Sequence, residues 1–464
     1  MQLLDIALLL GLAVAARGGG ARWRGPLAIV ASVLMLYHLQ PGSAIRFSDF
    51  WLPTATLGLV VATWALVQRT VTRADLTWAV GLVVAGPLAV TGLRFVEPVC
   101  CLTATRPPET LSALLPVGLA AGVVLALTRL AGRAWALWAG LGLLIGVLVA
   151  LKWEPSALAL ARAARALSGQ STELAAASEL PWLGVSYFVF RLIHTVRDRM
   201  SGRLPAVSLS EFVAYTLFFP TLTAGPIDRL ERFSKDWRAQ PGPWWPDLEA
   251  GLTRLGLGVV KKFVIADLLA LLALNTVNAG QLTSGTWAWV LVYAYALRIY
   301  FDFSGYTDVA IGLGRVLGVR VPENFDRPYL KTNLTQFWNS WHMTLALWFR
   351  NYYFNPLTRA LRTRTLPTVL VIALAQLSTM ALIGIWHGLT WNFAIWGLWH
   401  GLGLFVHNRW AAWLKTHPLP ESRWRAALGW LLTVHFVVLG WVWFVLPTPG
   451  LALRVFEVLF FSRS

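Results

Sequence analysis

The chain has 464 residues, 57% of them hydrophobic and only 13% charged, with a mean hydropathy of +0.59. Soluble domains carry about 25% charged residues, so this composition excludes a soluble protein. The formal net charge of +17 does not indicate nucleic acid, because the basic residues fall in short loops between apolar runs. That is the positive-inside pattern of multi-pass membrane proteins.

The apolar runs are 2–16, 26–39, 51–67, 76–95, 111–128, 134–151, 181–196, 209–222, 251–273, 286–300, 303–318, 366–383, 389–407 and 428–446. A spanning helix needs about 20 apolar residues, so the shorter runs are read as re-entrant. The expected class is an all-α, polytopic integral membrane protein in one domain, residues 1–464, with N-terminal transmembrane helices over 1–150. Arg17, Arg22 and Arg24 follow the first run, Arg69 and Arg73 the third, Arg129 and Arg133 the fifth. Placing those loops in the cytoplasm puts the N-terminus outside, along with loops bearing Asp49, Glu97, Glu109, Glu154, Glu173 and Glu179. The first run has no basic residue before it, which predicts a retained span rather than a cleaved signal. Cys100 and Cys101 are adjacent, a spacing that strains an intrachain bridge, so they read as packing or free thiols. The sequence has neither CxxC metal pairs nor a P-loop, and no metal site is expected.

Residues 155–180 are Ala-rich and read as an outside helix lying on the surface. From Pro181 polar groups enter apolar segments. Arg191 and His194 share one helical face, either pairing near an interface or lining a cavity. Pro220, Gly225 and Pro226 break any helix, and broken backbone at membrane depth survives only inside protein or beside a wet cavity. The loop 229–246 is basic and aromatic, which places it at the cytoplasmic interface. Asp302 and Asp308 stand in an apolar frame about 120° apart on a helix, so each is expected to hold a helix break or a buried hydrogen-bond network. Asn324, Asp326 and Arg327 are expected to build a loop capping the helix that follows.

Two histidines bracket the hydrophobic stretch 366–383. His342 lies in TNLTQFWNSWHMTLALWFRNYYF and His387 in IGIWHGLTWNF. Asn333 with Gln336 predicts a capped helix start. Leu334, Trp338, Trp341, Leu345, Trp348 and Tyr352 then form a stripe, with Asn339 and His342 beside it. Trp391 is expected on the face of His387, and His400 about 140° round the helix from it. An imidazole suits acyl transfer, taking a hydroxyl proton as the oxygen attacks a thioester or ester carbonyl. No Ser or Cys stands in a nucleophile-elbow context, which favours direct transfer.

These residues resemble the membrane-bound O-acyltransferase family. The resemblance rests on Trp341-His342, a hydrophobic segment, then GIWHG (Gly384 to Gly388) with Trp391-Asn392, and covers roughly residues 181–410 as the catalytic core. PTLTAGPIDR, YFDFSGYTDVAIGLG and PENFDRPY suggest the bacterial polysaccharide branch. The resemblance implies a helical funnel of roughly 11–14 membrane-embedded helices in the bacterial inner membrane, catalytic histidines meeting at its middle. It implies His387 as base with His342 also required, supported by Asn339, Trp338, Trp341, Trp386, Trp391, Asn392, Asp302 and Asp308. No cofactor is expected. The substrate is an acyl thioester, acetyl-CoA or an acyl carrier protein, docking on the cytoplasmic side at Arg359, Arg362 and Arg364. The acceptor is an outside hydroxyl, on a polysaccharide or on an SGNH-type acetyl-relay protein; membrane lipid is a partner and nucleic acid is not.

The acyl group divides the resemblance. GVSYFVFR, FFPTLTAGPIDRLERF and FWNSWHMTLALWFRN look like the D-alanyl transferases of teichoic acid, whereas IYFDFSGYTDVAIGLGRVLGV and PENFDRPYL look like alginate and peptidoglycan O-acetyltransferases. Asn355 to Arg359 departs from the Pro-Leu-Gly-Gly turn of the latter. A D-alanyl ammonium needs an acidic or carbonyl partner, and residues 343–386 contain no Asp or Glu, so acetyl is expected. The readings from other classes are a transporter, against which no two-fold internal repeat is seen, and a scaffold of an export complex.

Overall fold

The structure is a computed structural model that describes residues 2–96 and 102–461. Glu97, Cys100 and Cys101 lie outside the described residues. All regular elements among the described residues are helical. Among the described residues six helices are long and apolar enough to cross a bilayer: Ser48–Val67, Arg73–Phe95, Thr110–Thr128, Ala134–Lys152, Thr368–His387 and Arg423–Val445. Each coincides with an apolar run of the sequence. The C-terminal helix Pro449–Phe461 has no counterpart among those runs.

Of the two roles expected for Asp302 and Asp308, the helix break fails: runs 286–300 and 303–318 form a single helix, Gly285–Leu317. The other, a buried hydrogen-bonded network, holds for Asp308, whose buried carboxylate meets Lys261. Each carboxylate has a cation from a preceding helical segment: Lys261 Nζ lies 2.6 Å from Asp308 and Lys262 Nζ 2.5 Å from Asp302. The two lysines open a π-helical turn, Lys261–Ala266, continuing helix Trp244–Val260. Gly305 serves the crossing rather than a break: a Cβ there would come within 2.8 Å of the Gly258 carbonyl oxygen.

The chain divides into two compact units. The first comprises Met1–Arg254 with Ala310–Val321, the second Leu255–Val309 with Pro322–Ser464. In the first unit helix Glu154–Leu167 turns Arg165 inward onto Glu179, with guanidinium–carboxylate distances of 2.7 and 2.5 Å. That hydrogen bond holds the Glu179 carboxyl below its usual range. Helix Val185–Met200 carries Arg191, only 1% exposed. Its guanidinium is buried and pairs mainly with backbone. It donates to the carbonyls of Thr216 (2.9 Å), Tyr215 (3.2 Å) and Pro226 (3.3 Å), and to Thr221 Oγ1 (2.7 Å). One turn on, His194 Nε2 lies 2.6 Å from the Tyr215 hydroxyl, which donates to the Asp228 carbonyl. Within the broken stretch 217–228, Arg191 answers the carbonyls of Thr221 and Pro226, Tyr215 of helix Leu209–Thr216 answers that of Asp228, and Ser32 Oγ accepts from Phe219 N, as buried irregular chain requires.

In the second unit helices Thr368–His387 and Trp391–Leu414 form an antiparallel hairpin in backbone contact. A Cβ on Gly384 would lie 2.1 Å from the Phe393 carbonyl oxygen, and one on Gly397 2.4 Å from that of Met380. Small residues at both crossings let the helices approach this closely. Thr390 caps the second helix by accepting from Phe393 N. The hairpin therefore presents His387 from a rigid corner.

Candidate active site

His342 is placed by a break that the apolar stripe does not announce. Asn333 caps helix Leu334–Trp338 through the Gln336 amide at 2.9 Å, as the sequence predicts. The expected amphipathic helix then stops. His342 takes the left-handed conformation, φ 42° and ψ 52°, and a new helix runs Met343–Phe349, widens at Arg350–Phe354 and ends as Asn355–Arg362. Left-handed backbone costs a non-glycine residue about 1–2 kcal/mol, so the surroundings must hold it. They do so mainly through Asn324. Its carbonyl accepts from Met343 N (3.0 Å), while its Oδ1 accepts from Thr344 N (3.2 Å) and Thr344 Oγ1 (2.9 Å) and lies 3.2 Å from His342 Nδ1. The loop role predicted for Asn324 is real, but its target is the His342 turn. Asp326 pairs instead with Lys331 at 2.7 Å.

The imidazole of His342 is 5% exposed. Phe303 meets it edge-on, ring centroids 4.7 Å apart, and Trp386 at 6.4 Å. Its Nε2 is buried without a hydrogen-bond partner. His387 ends its helix half-buried, with Trp386 at 4.6 Å, Phe444 at 4.8 Å, Trp396 at 5.5 Å and Phe393 at 5.8 Å. Trp386 packs on both histidines, so their ring centroids are no farther apart than those two distances laid end to end.

The supporting residues divide. Trp338 packs on Trp396 (5.8 Å) and His400 (5.1 Å), and Trp341 on Trp441 (5.0 Å), all within the same aromatic cluster. Asn392 is buried and donates to the Leu446 carbonyl at 2.6 Å, tying the hairpin to the chain after helix Arg423–Val445. Asn339 is exposed and accepts from the Arg350 guanidinium, so it does not sit beside His342 as expected. Trp391 is 77% exposed and does not share a helical face with His387, because the first helix ends there and Trp391 opens the next. The same ending removes the helical count behind the separation expected for His400, which packs on Trp396, one turn away on its own helix, at 5.1 Å. Asp302 and Asp308 are engaged by the two lysines. Arg359, Arg362 and Arg364 are exposed, at and just beyond the end of helix Asn355–Arg362.

Sequence reasoning missed Asn324 as a histidine partner, and Phe303, Trp396 and Phe444 as walls. Asn324 stands in the PENFDRPY motif and Phe303 in YFDFSGYTDVAIGLG; Trp396 and Phe444 are indistinguishable from packing residues of an apolar helix.

Fold and site together define an all-helical, multi-pass membrane protein whose two imidazoles share one aromatic cluster. The sequence profile of the membrane-bound O-acyltransferase family matches residues 134–446, and the chain belongs to that family. It is 33% identical over 285 residues to the teichoic acid D-alanyltransferase of Streptococcus thermophilus, covering 58% of this chain and 69% of that protein. It is 34% identical over 279 residues to the "probable alginate O-acetylase" of Azotobacter vinelandii, covering 60% and 53%. With the peptidoglycan O-acetyltransferase of Helicobacter pylori the identity is 35% over 278 residues, covering 56% and 51%. The chain thus spans about half the length of these O-acetylating relatives. Identity does not separate the two acyl groups.

Proposed function

We propose that this protein transfers an acetyl group from a thioester on the cytoplasmic side to a hydroxyl of an extracytoplasmic polysaccharide, or to a relay protein serving one, in the bacterial cytoplasmic membrane. The observation that carries this reading is the meeting of His342 and His387 on Trp386, with His342 Nε2 buried and unpartnered. In the reaction the acceptor oxygen attacks the thioester carbonyl carbon while its proton passes to an imidazole. The tetrahedral intermediate expels the thiolate, which recovers the proton as a thiol. His387, at the rigid corner of the hairpin, is a base in this reading, and His342 beside it either shares that role or orients the donor carbonyl. The aromatic walls keep water from competing for the acyl group.

A D-alanyl group is the second reading, favoured by the likeness to the D-alanyltransferase. Its ammonium needs a carboxylate or carbonyl in a dry site. Residues 343–386 contain no Asp or Glu, and Asp302 and Asp308 already pair with lysines. Acetyl therefore fits better.

The test is transfer from labelled acetyl-CoA or acetylated carrier protein by purified protein in proteoliposomes. His387→Ala is expected to lose about 10²–10⁴-fold in rate while inserting normally. Near-wild-type turnover by that variant removes His387 from the mechanism, and transport without transfer makes the protein a transporter. Mass spectrometry of the host's surface glycan decides the acyl group: losing an acetyl ester with the protein supports the reading, and losing esterified D-alanine sinks it.

A further inference from the structure

Resting on the acyl-transfer reading, we infer that Asn324 is a positioning residue that fixes His342 as its Nδ1–H tautomer. His342 thereby faces the acceptor hydroxyl as a proton acceptor and not the thioester carbonyl as a donor. The Thr344 backbone N–H only donates, and it lies 3.2 Å from Asn324 Oδ1. Turning the amide over would set an NH₂ group against that N–H, so this atom is the oxygen. An amide oxygen only accepts. The His342 Nδ1 atom at 3.2 Å from it must therefore carry the hydrogen. A neutral imidazole holds one N–H, so Nε2 is left with its lone pair.

That nitrogen is buried and has no hydrogen-bond partner. Without a hydrogen it offers nothing to a carbonyl oxygen or a developing oxyanion. It accepts from a hydroxyl. Phe303, Trp386 and Asn324 pack on the imidazole, and none carries a charge. The ring is also immobilised, since His342 sits at φ 42° with the next two residues bonded to Asn324. This is more than loop capping, which needs only the Thr344 and Met343 bonds. The polar nitrogen on the same oxygen is what specifies the tautomer, and the hydrogen bond at one ring nitrogen decides what the other presents.

The first test needs no activity. In ¹⁵N-histidine-labelled protein in lipid nanodiscs, the signal pair that disappears in His342→Gln is expected to show a protonated Nδ1 and a bare Nε2. A protonated Nε2 in the wild type overturns the inference. In the transfer assay, Asn324→Leu is expected to lower kcat by on the order of 10²-fold with KM for the donor nearly unchanged. Asn324→Asp keeps the acceptor oxygen and folds in the same shape, but its carboxylate stabilises the imidazolium. The acid limb of its rate profile therefore moves to higher pH, by roughly 1 unit or more, which a purely structural asparagine would not cause. An unmoved limb with wild-type turnover overturns the inference while leaving acyl transfer standing. Absence of transfer in the wild type removes the acyl-transfer reading, and the tautomer is then decided by the nitrogen signals alone.

Discussion

Two stretches of this chain abandon helix within an apolar frame, and they are closed in opposite ways. Around residues 217–228 the backbone is broken by proline and glycine, and Arg191 answers the freed carbonyls. His194 beside it hydrogen-bonds the Tyr215 hydroxyl. Around residues 339–342 the break has no proline or glycine at all. Asn324 answers the freed amides, and the histidine there keeps one nitrogen buried and unbonded. Burying an unbonded polar atom costs roughly 1–3 kcal/mol, so a histidine held this way is poor as a structural device. If His342 serves chemistry, as the proposed function requires, the first break is scaffold and the second is site.

The sharpest way to break the comparison is to exchange the consequences. His342→Ala is expected to lower acyl transfer by at least about 10²-fold, with little change in the thermal midpoint of the purified protein. Arg191→Met is expected to do the reverse first, destabilising by about 3 kcal/mol or more because several buried carbonyls lose their donor. Fluorescence-detected size exclusion after a heating series reads stability, and the transfer assay reads rate. A folded, active Arg191→Met, or a His342→Ala that unfolds, would show that the two breaks are not scaffold and site.

The lysine–aspartate pairs sharpen the scaffold side. Lys261 and Lys262 are adjacent on one helical segment of the crossing, yet the side chain of Asp308, the partner of the first, is 4% exposed and that of Asp302, the partner of the second, 52%. Removing one partner of a buried pair costs about 3–5 kcal/mol, whereas an exposed pair contributes about 0.2–1 kcal/mol. Asp308→Ala is therefore expected to lower stability by about 3 kcal/mol, Lys261 retaining part of its hydration, and Asp302→Ala by less than about 1 kcal/mol. Pairing Asp308→Leu with Lys261→Met should restore most of the loss. Equal effects from the two single substitutions would mean that burial does not set their roles.

These examples also mark what was legible in the sequence. Composition and run length carried the helical membrane class, because a bilayer admits few alternatives. The Asn333 cap and the break at Pro220 to Pro226 were readable because each rests on local backbone chemistry. The two histidines were found through their motifs, and the hairpin and Trp386 do bring them together. What stayed hidden depends on contacts distant in sequence. The lysines that meet Asp308 and Asp302 stand 47 and 40 residues earlier, so the local sequence did not decide between a helix break and a buried network. The left-handed turn at His342 is imposed by Asn324 and has no local mark, since neither glycine nor proline stands there. Counting angles from His387 to Trp391 and His400 failed because the helix reverses at residue 388.

The smallest expected effect lies on the surface, where neither kind of closure applies. Arg359, Arg362 and Arg364 are exposed and cluster at the end of one short helix. Three cations in about two turns make a patch suited to an acidic carrier protein or to the phosphates of a coenzyme A thioester, through charge complementarity that mainly governs encounter. Each exposed pair with such a donor contributes about 0.2–1 kcal/mol, so reversing all three to Glu should raise the donor KM by roughly tenfold. kcat should stay nearly constant, because the histidines are untouched. Salt supplies the internal control: with a screening length of about 10 Å at 0.1 M, the wild-type KM should rise as ionic strength increases, and the reversed variant should lose that rise. An unchanged KM, or modification of a cysteine at position 362 by an impermeant reagent from outside the cell, would remove this patch from donor binding and place the donor elsewhere.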